Sequence, residues 1–242
     1  MEGGCAMARR RVKRTKRDII QCATVMFLER GYTASSTKQI ADELDIALGN
    51  LNYYFPTKEH LLADLVDMLC NFQWKMIEEE ANDGLSSIMA ICLELTAMAA
   101  ICDTNAAAKD FYLSAYSSPM CLEIIRKNDT ARAKEVFAQY CPDWTDEQFA
   151  EAEVLVSGIE YATLMTAGDP VSLETRIAGA LNSILQIYNL PEETRRMKIR
   201  RVLAMDYRAI AELMLAELKQ FVIDTNEQAL EALYREKGQK MP

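Results

Sequence analysis

Residues 35–58 read Ser-Ser-Thr-Lys-Gln-Ile-Ala-Asp-Glu-Leu-Asp-Ile-Ala-Leu-Gly-Asn-Leu-Asn-Tyr-Tyr-Phe-Pro-Thr-Lys. The spacing predicts two short helices joined by a tight turn. In the first, Ile40, Ala41 and Leu44 fall on one face at helical intervals, Ser36 is a candidate N-cap, and Gln39 stands where a capping box needs its reciprocal partner. In the second, Leu48, Leu51 and Phe55 line one side, while Gly49, Asn50 and Tyr53, flanked by Asn52 and Tyr54, form the other. That second side carries amides and phenols and no acid, so it can meet base edges and phosphates; Pro56 ends the helix. The expected motif is a helix-turn-helix with its second helix set for a DNA major groove.

Immediately before it, Lys16–Arg30 is an expected helix with Ile20, Ala23 and Phe27 facing inward and Ile19 and Met26 on the shoulders. Gly31 supplies a left-handed C-terminal cap and Tyr32 packs back. This helix closes a three-helix core against Ile40, Leu44, Leu51 and Phe55, and that core keeps the reading helix rigid.

The wider composition suits this picture. The chain has 242 residues, half of them apolar, with nine Gly and six Pro. Ala, Leu, Met, Glu and Lys dominate, which favours helix throughout. The formal charge of −9 is unevenly spread. Residues 1–60 carry ten Lys and Arg against seven acids, and the remainder 17 against 29. Seven basic residues, including Arg9, Arg10, Arg11, Lys13 and Arg14, lie between positions 9 and 17 with no acid among them. Such a run is either a solvated tail or an arm lying along phosphates and the minor groove. Its place directly before a DNA-reading module favours the arm.

Other chemistries find little support. His60 is the one histidine, which excludes a His-rich metal site, and no nucleophile or metal-ligand motif appears; neither catalytic residues nor a cofactor is expected. Seven cysteines are scattered without a Cys-x-x-Cys pair and read as small core residues, with Cys102 and Cys121 the candidates for redox sensing. No charge-free apolar run spans a bilayer and no signal core follows the N-terminal basic residues, so a cytoplasmic protein without a membrane partner is expected.

Gly31-Tyr32, Thr37-Lys38-Gln39-Ile40-Ala41 and Gly49-Asn50-Leu51-Asn52-Tyr53-Tyr54-Phe55-Pro56-Thr57-Lys58-Glu59 with Leu61-Leu62 occur together and in order. Across residues 17–62 this resembles the N-terminal domain of TetR-family transcriptional regulators. The resemblance implies phosphate contacts from Thr37, Lys38, Tyr53 and Lys58. It also implies base-edge contacts from Leu48, Gly49, Asn50 and Asn52, with Asn50 the best direct reader because an Asn amide pairs with adenine N6 and N7. Tyr53 lies outward, whereas Tyr54 lies on the flank between DNA and core. Four positions depart from the family pattern: Asp45 replaces the usual turn Gly, Ala47 the usual capping Ser or Thr, Leu48 a residue that is commonly polar, and Asn52 a frequent Tyr. Helical spacing alone sets Leu48 on the core side; the resemblance sets it at the groove.

The expected organisation is all-α: a flexible basic arm over 1–15, a helix-turn-helix domain over 16–62, and a helical ligand-binding and dimerisation domain over 63–242. In the last, helices are predicted over 57–80, 86–102, 105–117, 120–140, 146–167 and, capped by Asp169-Pro170, to about 188. A long final helix starts at Pro191, with a break near Asp224-Thr225. By resemblance this half holds a small-molecule pocket and a homodimer interface formed by helices 146–167 and 171–188. Ser157, Gly158, Ala162, Ala178, Gly179 and Ala180 suit close helix contact there, and a plain core explains them too. Candidate pocket linings are Phe72, Met89, Met98, Phe111, Tyr112, Tyr116, Phe149 and Tyr161, with Trp74, Met120 and Met165 beside them; each also suits ordinary core. Glu94 or Glu160, turned inward, favours a cationic ligand. The implied partners are operator DNA, a second copy of the chain and a small-molecule effector. The implied activity is repression relieved by that effector. The rival reading is a DNA-binding regulator without a ligand, constitutive or governed by a protein partner.

Overall fold

Apolar spacing and end caps divide the chain into eleven helices, and no strand is present among the described residues of the computed structural model. These residues are 16–82, 86–166 and 171–225, with the backbone alone for 74–82. The helices are α1 Lys16–Arg30, α2 Thr37–Glu43, α3 Leu48–Tyr54, α4 Lys58–Asn82, α5 Ser87–Thr104, α6 Ala106–Ser117, α7 Pro119–Phe137, α8 Asp146–Met165, α9 Leu173–Ile187, α10 Glu192–Leu203 and α11 Tyr207–Asp224.

Short polar side chains start most of them. Ser36 and Thr145 each accept from the N3 main-chain N–H while Gln39 and Gln148 reach back, completing two capping boxes. Ser86, Asn105, Ser118, Ser172 and Asp206 cap α5, α6, α7, α9 and α11 in the simpler way. Besides α1, which ends at the left-handed Gly31, two helices end through left-handed residues other than glycine. Asp45 (φ 53°) follows α2, with the Ile46 N–H donating to Ala41 O at 3.0 Å. Asn189 (φ 58°) follows α9, with the Leu190 N–H donating to Leu185 O at 3.0 Å. Asp and Asn tolerate this conformation because their side chains are short and polar.

A continuous apolar cluster runs from Ile19 to Val222. Its N-terminal part joins Ile20, Ala23 and Phe27 of α1 to Ile40 and Ala41 of α2, Leu51 of α3, and Phe55, with Leu61, Leu62 and Leu65 of α4 beneath. In the rest, α5 is the central rod, contacting α4, α6, α7, α8, α9, α10 and α11. By length and composition α5 could cross a bilayer. Thirteen of its residues are buried by the surrounding helices instead. The helix α4 crosses the expected boundary at residue 62 and carries the N-terminal core into this larger body.

Several element boundaries differ from expectation. α11 ends at Asp224 with Thr225 as its C-cap, at the expected break, and the stretch from Pro191 is also divided at Ala204–Asp206, where the Asp206 carboxylate accepts from the Ala209 N–H and starts α11. Asp169-Pro170 lies outside the described residues, and α9 takes its cap from Ser172. Eight helices follow the helix-turn-helix among the described residues. Cys102 and Cys121 are buried. Burial pushes the Cys102 thiol up to about 12 and raises that of Cys121, so neither is held as a reactive thiolate.

Candidate nucleic-acid interface

The reading face is built by the burial of its opposite side. Leu51 and Phe55 are almost fully enclosed, which fixes the roll of α3. Gly49, Asn50, Asn52 and Tyr53 consequently face outward, Tyr53 with 70% of its surface exposed. Leu48 is exposed too, which resolves the conflict between its helical spacing and the resemblance: it is not a core residue. Tyr54 is half-buried against the core and meets Tyr53 edge-on, with ring centroids 5.3 Å apart. As its sequence implies, Ala47 gives α3 no side-chain cap.

At the start of α2, Thr37 is half-buried and Lys38 is exposed. The Lys38 ammonium lies 2.6 Å from Asp42, an exposed i,i+4 pair that contributes only a few tenths of a kcal/mol, about 0.3–0.5, and leaves the lysine available to a phosphate. Lys58 is placed differently. Its Nζ donates to the carbonyls of Tyr32 and Ser35, both at 3.0 Å, and sits 4.0 Å from the Tyr32 ring centroid. Burial lowers its pKa from the ordinary lysine value. The side chain thus ties the α1–α2 turn to α4, a role its sequence position does not reveal. Arg9, Arg10, Arg11, Lys13 and Arg14 lie outside the described residues.

This small domain is tied to the body by polar contacts. The Thr33 N–H and hydroxyl donate to the Asp110 carboxylate of α6 at 2.7 and 2.6 Å. The Gln21 amide donates to Ile223 O at 2.6 Å, and the Ser118 hydroxyl donates to Glu59. Gly31 (φ 93°) lies against Asp110, and a Cβ there would stand 2.8 Å from its Oδ2.

In the body, a cavity of about 40 Å³ lies between α5, α7, α8 and α9. Glu94, Asp129, Arg132, Glu153, Glu160 and Tyr188 give it a polar lining, and Ile91, Leu95, Val156, Leu181, Ile184 and Leu185 are among its apolar walls. None of the eight expected aromatic and methionine linings borders it. Phe72, Met98 and Tyr112 border a second, smaller cavity of about 20 Å³ near α11. Met89 and Phe111 are core, and Phe149 packs on Trp144 and Tyr188. Tyr116 instead donates its hydroxyl to Glu160 at 2.8 Å, and Tyr161 is half-buried on α8. Glu94 and Glu160, of which the sequence left open whether either turns inward, both border the cavity. Arg132 and Glu153 were not singled out, although Glu153 shares the inner face of α8 with Phe149, Val156 and Glu160; a charge on an apolar stripe was the available signal.

The TetR_N model, for bacterial regulatory proteins of the tetR family, matches residues 19–65. The chain is 22% identical to the HTH-type transcriptional regulator PksA of Bacillus subtilis (strain 168) over 204 residues, covering 82% of this chain and 90% of that protein. It is 30% identical to the probable HTH-type transcriptional regulator YttP of the same organism over 69 residues, covering 28% of this chain and 33% of that one. Among solved structures, the TetR-family protein CprB from S. coelicolor A3(2) aligns with a TM-score of 0.42 and 18% identity, over 84% of this chain and 95% of that one. The outward-facing α3 and the left-handed turn before it both lie within residues 19–65, the stretch that matches the model for bacterial regulatory proteins of the tetR family.

Proposed function

We propose that the protein is a ligand-responsive repressor that binds a pseudo-palindromic operator as a homodimer and lets it go when a small molecule enters the body. The observation that carries this reading is the sidedness of α3: Leu51 is sealed in the core while Gly49, Asn50, Asn52 and Tyr53 face outward without an acid among them. Asn50 and Asn52 then read base edges, Leu48 meets a thymine methyl, and Thr37, Lys38 and Tyr53 hold phosphates.

Support for the dimer comes from α8. Val154, Leu155, Gly158, Ala162 and Met165 recur on its outer face and are all exposed, with Gly179 and Ser183 exposed on the neighbouring α9. An apolar stripe of this kind is suited to packing against its own copy about a two-fold axis. Two copies of α3 must then meet major-groove faces about 34–36 Å apart or a multiple of that spacing. Support for ligand response comes from the cavity, and from α6, which touches the cavity's Glu160 through Tyr116 and the DNA-reading domain through Asp110. A ligand that changes the α8–α6 contact acts on the reading heads, and by linkage ligand and operator weaken one another equally.

The test is fluorescence anisotropy of the purified protein on a genomic fragment library at several salt concentrations. Selective, salt-sensitive retention of promoter fragments is expected. Absence of any salt-sensitive binding overturns the reading.

A further inference from the structure

We infer that the cavity bounded by Arg132, Glu153 and Glu160 binds a small organic ammonium that carries an oxygen acceptor. This rests on the ligand-responsive reading above and names the chemistry of its ligand.

The argument begins with charge. Four carboxylates, Glu94, Asp129, Glu153 and Glu160, line the cavity with one cation, Arg132. That cation is already shared: its guanidinium donates to both Glu94 oxygens, and to Asp129 at 3.2 Å. Glu153 and Glu160 receive hydroxyl donors only, from Tyr188 and from Tyr116 respectively. Glu153 is 3% exposed, and among the described residues neither carboxyl group has an ion pair of its own, Arg132 acting on Glu153 only at longer range. A buried carboxylate without a paired cation is costly, so burial favours the protonated form of these groups. Burial first, and then the Asp129 carboxylate, push Glu153 up to about 8 and Glu160 well above its ordinary range.

A second observation comes from the opposite kind of group. Arg132 is 4% exposed and its Nε–H has no acceptor, although the residue borders the cavity. A buried N–H donor is rarely left unmet. An ammonium answers the two carboxyl groups, and an oxygen on the same molecule answers the orphaned donor. Among the described residues no three acidic, Cys or His side chains are gathered closely enough to hold a metal ion, which separates an organic cation from an inorganic one. Size points the same way. A cavity of about 40 Å³ has room for about three waters, and a compact molecule of few heavy atoms replaces them against the apolar walls.

Binding such a cation favours the ionised carboxylates and so expels protons. Facing groups from every surrounding element enter this balance: Glu94 of α5, Tyr116 of α6, Asp129 and Arg132 of α7, Glu153 and Glu160 of α8, and Tyr188 after α9. Affinity for a protonated probe accordingly rises as pH increases through about 8.

The experiment is titration calorimetry of the full chain with ethanolammonium chloride, n-propanol and sodium propionate at fixed ionic strength, repeated on Glu153→Gln and Glu160→Gln. Binding of ethanolammonium alone, weakened about tenfold or more in both isosteric variants, is expected. Equal affinity in the variants, or preferential binding of propanol or propionate, overturns the assignment. DNA retention is measured on the same samples. Failure of the cation to bind while salt-sensitive DNA binding persists overturns this inference alone. A bound cation that leaves DNA retention unchanged supports the cavity's chemistry and counts against ligand-coupled release.

Discussion

Asp110 of α6 holds Thr33 with both carboxylate oxygens, one on the main-chain N–H and one on the hydroxyl. One side chain of α6 thus grips the turn that presents α2, beside the tie that Lys58 makes from α4. Asp110→Ala is expected to lower stability by about 1–2 kcal/mol. Hydrogen exchange should speed up over residues 31–36 while the body keeps its protection. Unchanged exchange there shows that the clamp does not order the turn.

Two glycines make opposite predictions. Gly31 has a left-handed backbone and Asp110 close by, so Gly31→Ala is expected to cost about 1–3 kcal/mol in chemical denaturation. Gly49 lies within α3 with open space around it, and Gly49→Ala should raise stability by about 0.5–1 kcal/mol. If α3 enters the groove, the same Gly49→Ala protein binds operator more weakly despite its greater stability. A stabilised variant with undiminished operator affinity argues that the backbone at 49 does not approach DNA.

Lys58 and Asn50 separate turn support, phosphate contact and base reading. Lys58→Ala removes two hydrogen bonds to turn carbonyls and should destabilise the free protein by about 1–2 kcal/mol. If the ammonium also reaches a phosphate, the salt slope of binding falls by about one for every sequence alike. Asn50→Ala should leave stability unchanged and lower discrimination at one base pair by about 1–3 kcal/mol. Anisotropy on operator and point-mutant duplexes reads both.

The cavity acids make stability depend on pH in an unusual direction. Glu153 has its folded pKa raised, to about 8, above that of the unfolded chain. The folded state thus binds the proton more tightly, so the contribution is whole below the unfolded value of about 4.3 and is lost as pH rises through about 8. Thermal unfolding of the ligand-free protein should show Tm falling over that window. In Glu153→Gln the fall should flatten, with a gain of about 1–3 kcal/mol near its upper end. A wild-type Tm that rises across the same range contradicts the protonated state assigned to Glu153.

Leu155 has more than half its surface exposed on the outer face of α8. Leu155→Glu places like charges across the proposed two-fold interface and should shift sedimentation from dimer to monomer. The monomer's helical signal should persist, because the Leu155 side chain makes no part of the core. Operator affinity should fall by about 100-fold or more as the paired reading heads are separated.

The sequence made the N-terminal domain legible because its signals are local. The Ser36–Gln39 capping box, the Gly31 cap and the three-and-four spacing of Leu51 and Phe55 are all written within a few residues. Leu48 was ambiguous because periodicity ignores how the tight turn rolls the next helix. The cavity was not legible for a different reason. Its lining comes from α5, α7, α8 and α9, brought together only by packing, and Met and aromatic residues were poor guides because they fill ordinary core equally well. The charges on inward faces, Arg132 and Glu153, were the better signal. Likewise, the break before Asp206 hid within an uninterrupted helical pattern that a capping carboxylate alone divides.

Asp110 and Tyr116 stand six residues apart on a helix of only twelve. At about 100° and 1.5 Å per residue, their attachments are separated by about 9 Å along the axis and about 120° around it. A short rod gripped at two such points behaves as an axle. Turning it cannot slacken one grip without loading the other, so torsion of α6, more than any bending, is the motion its two fastenings oppose.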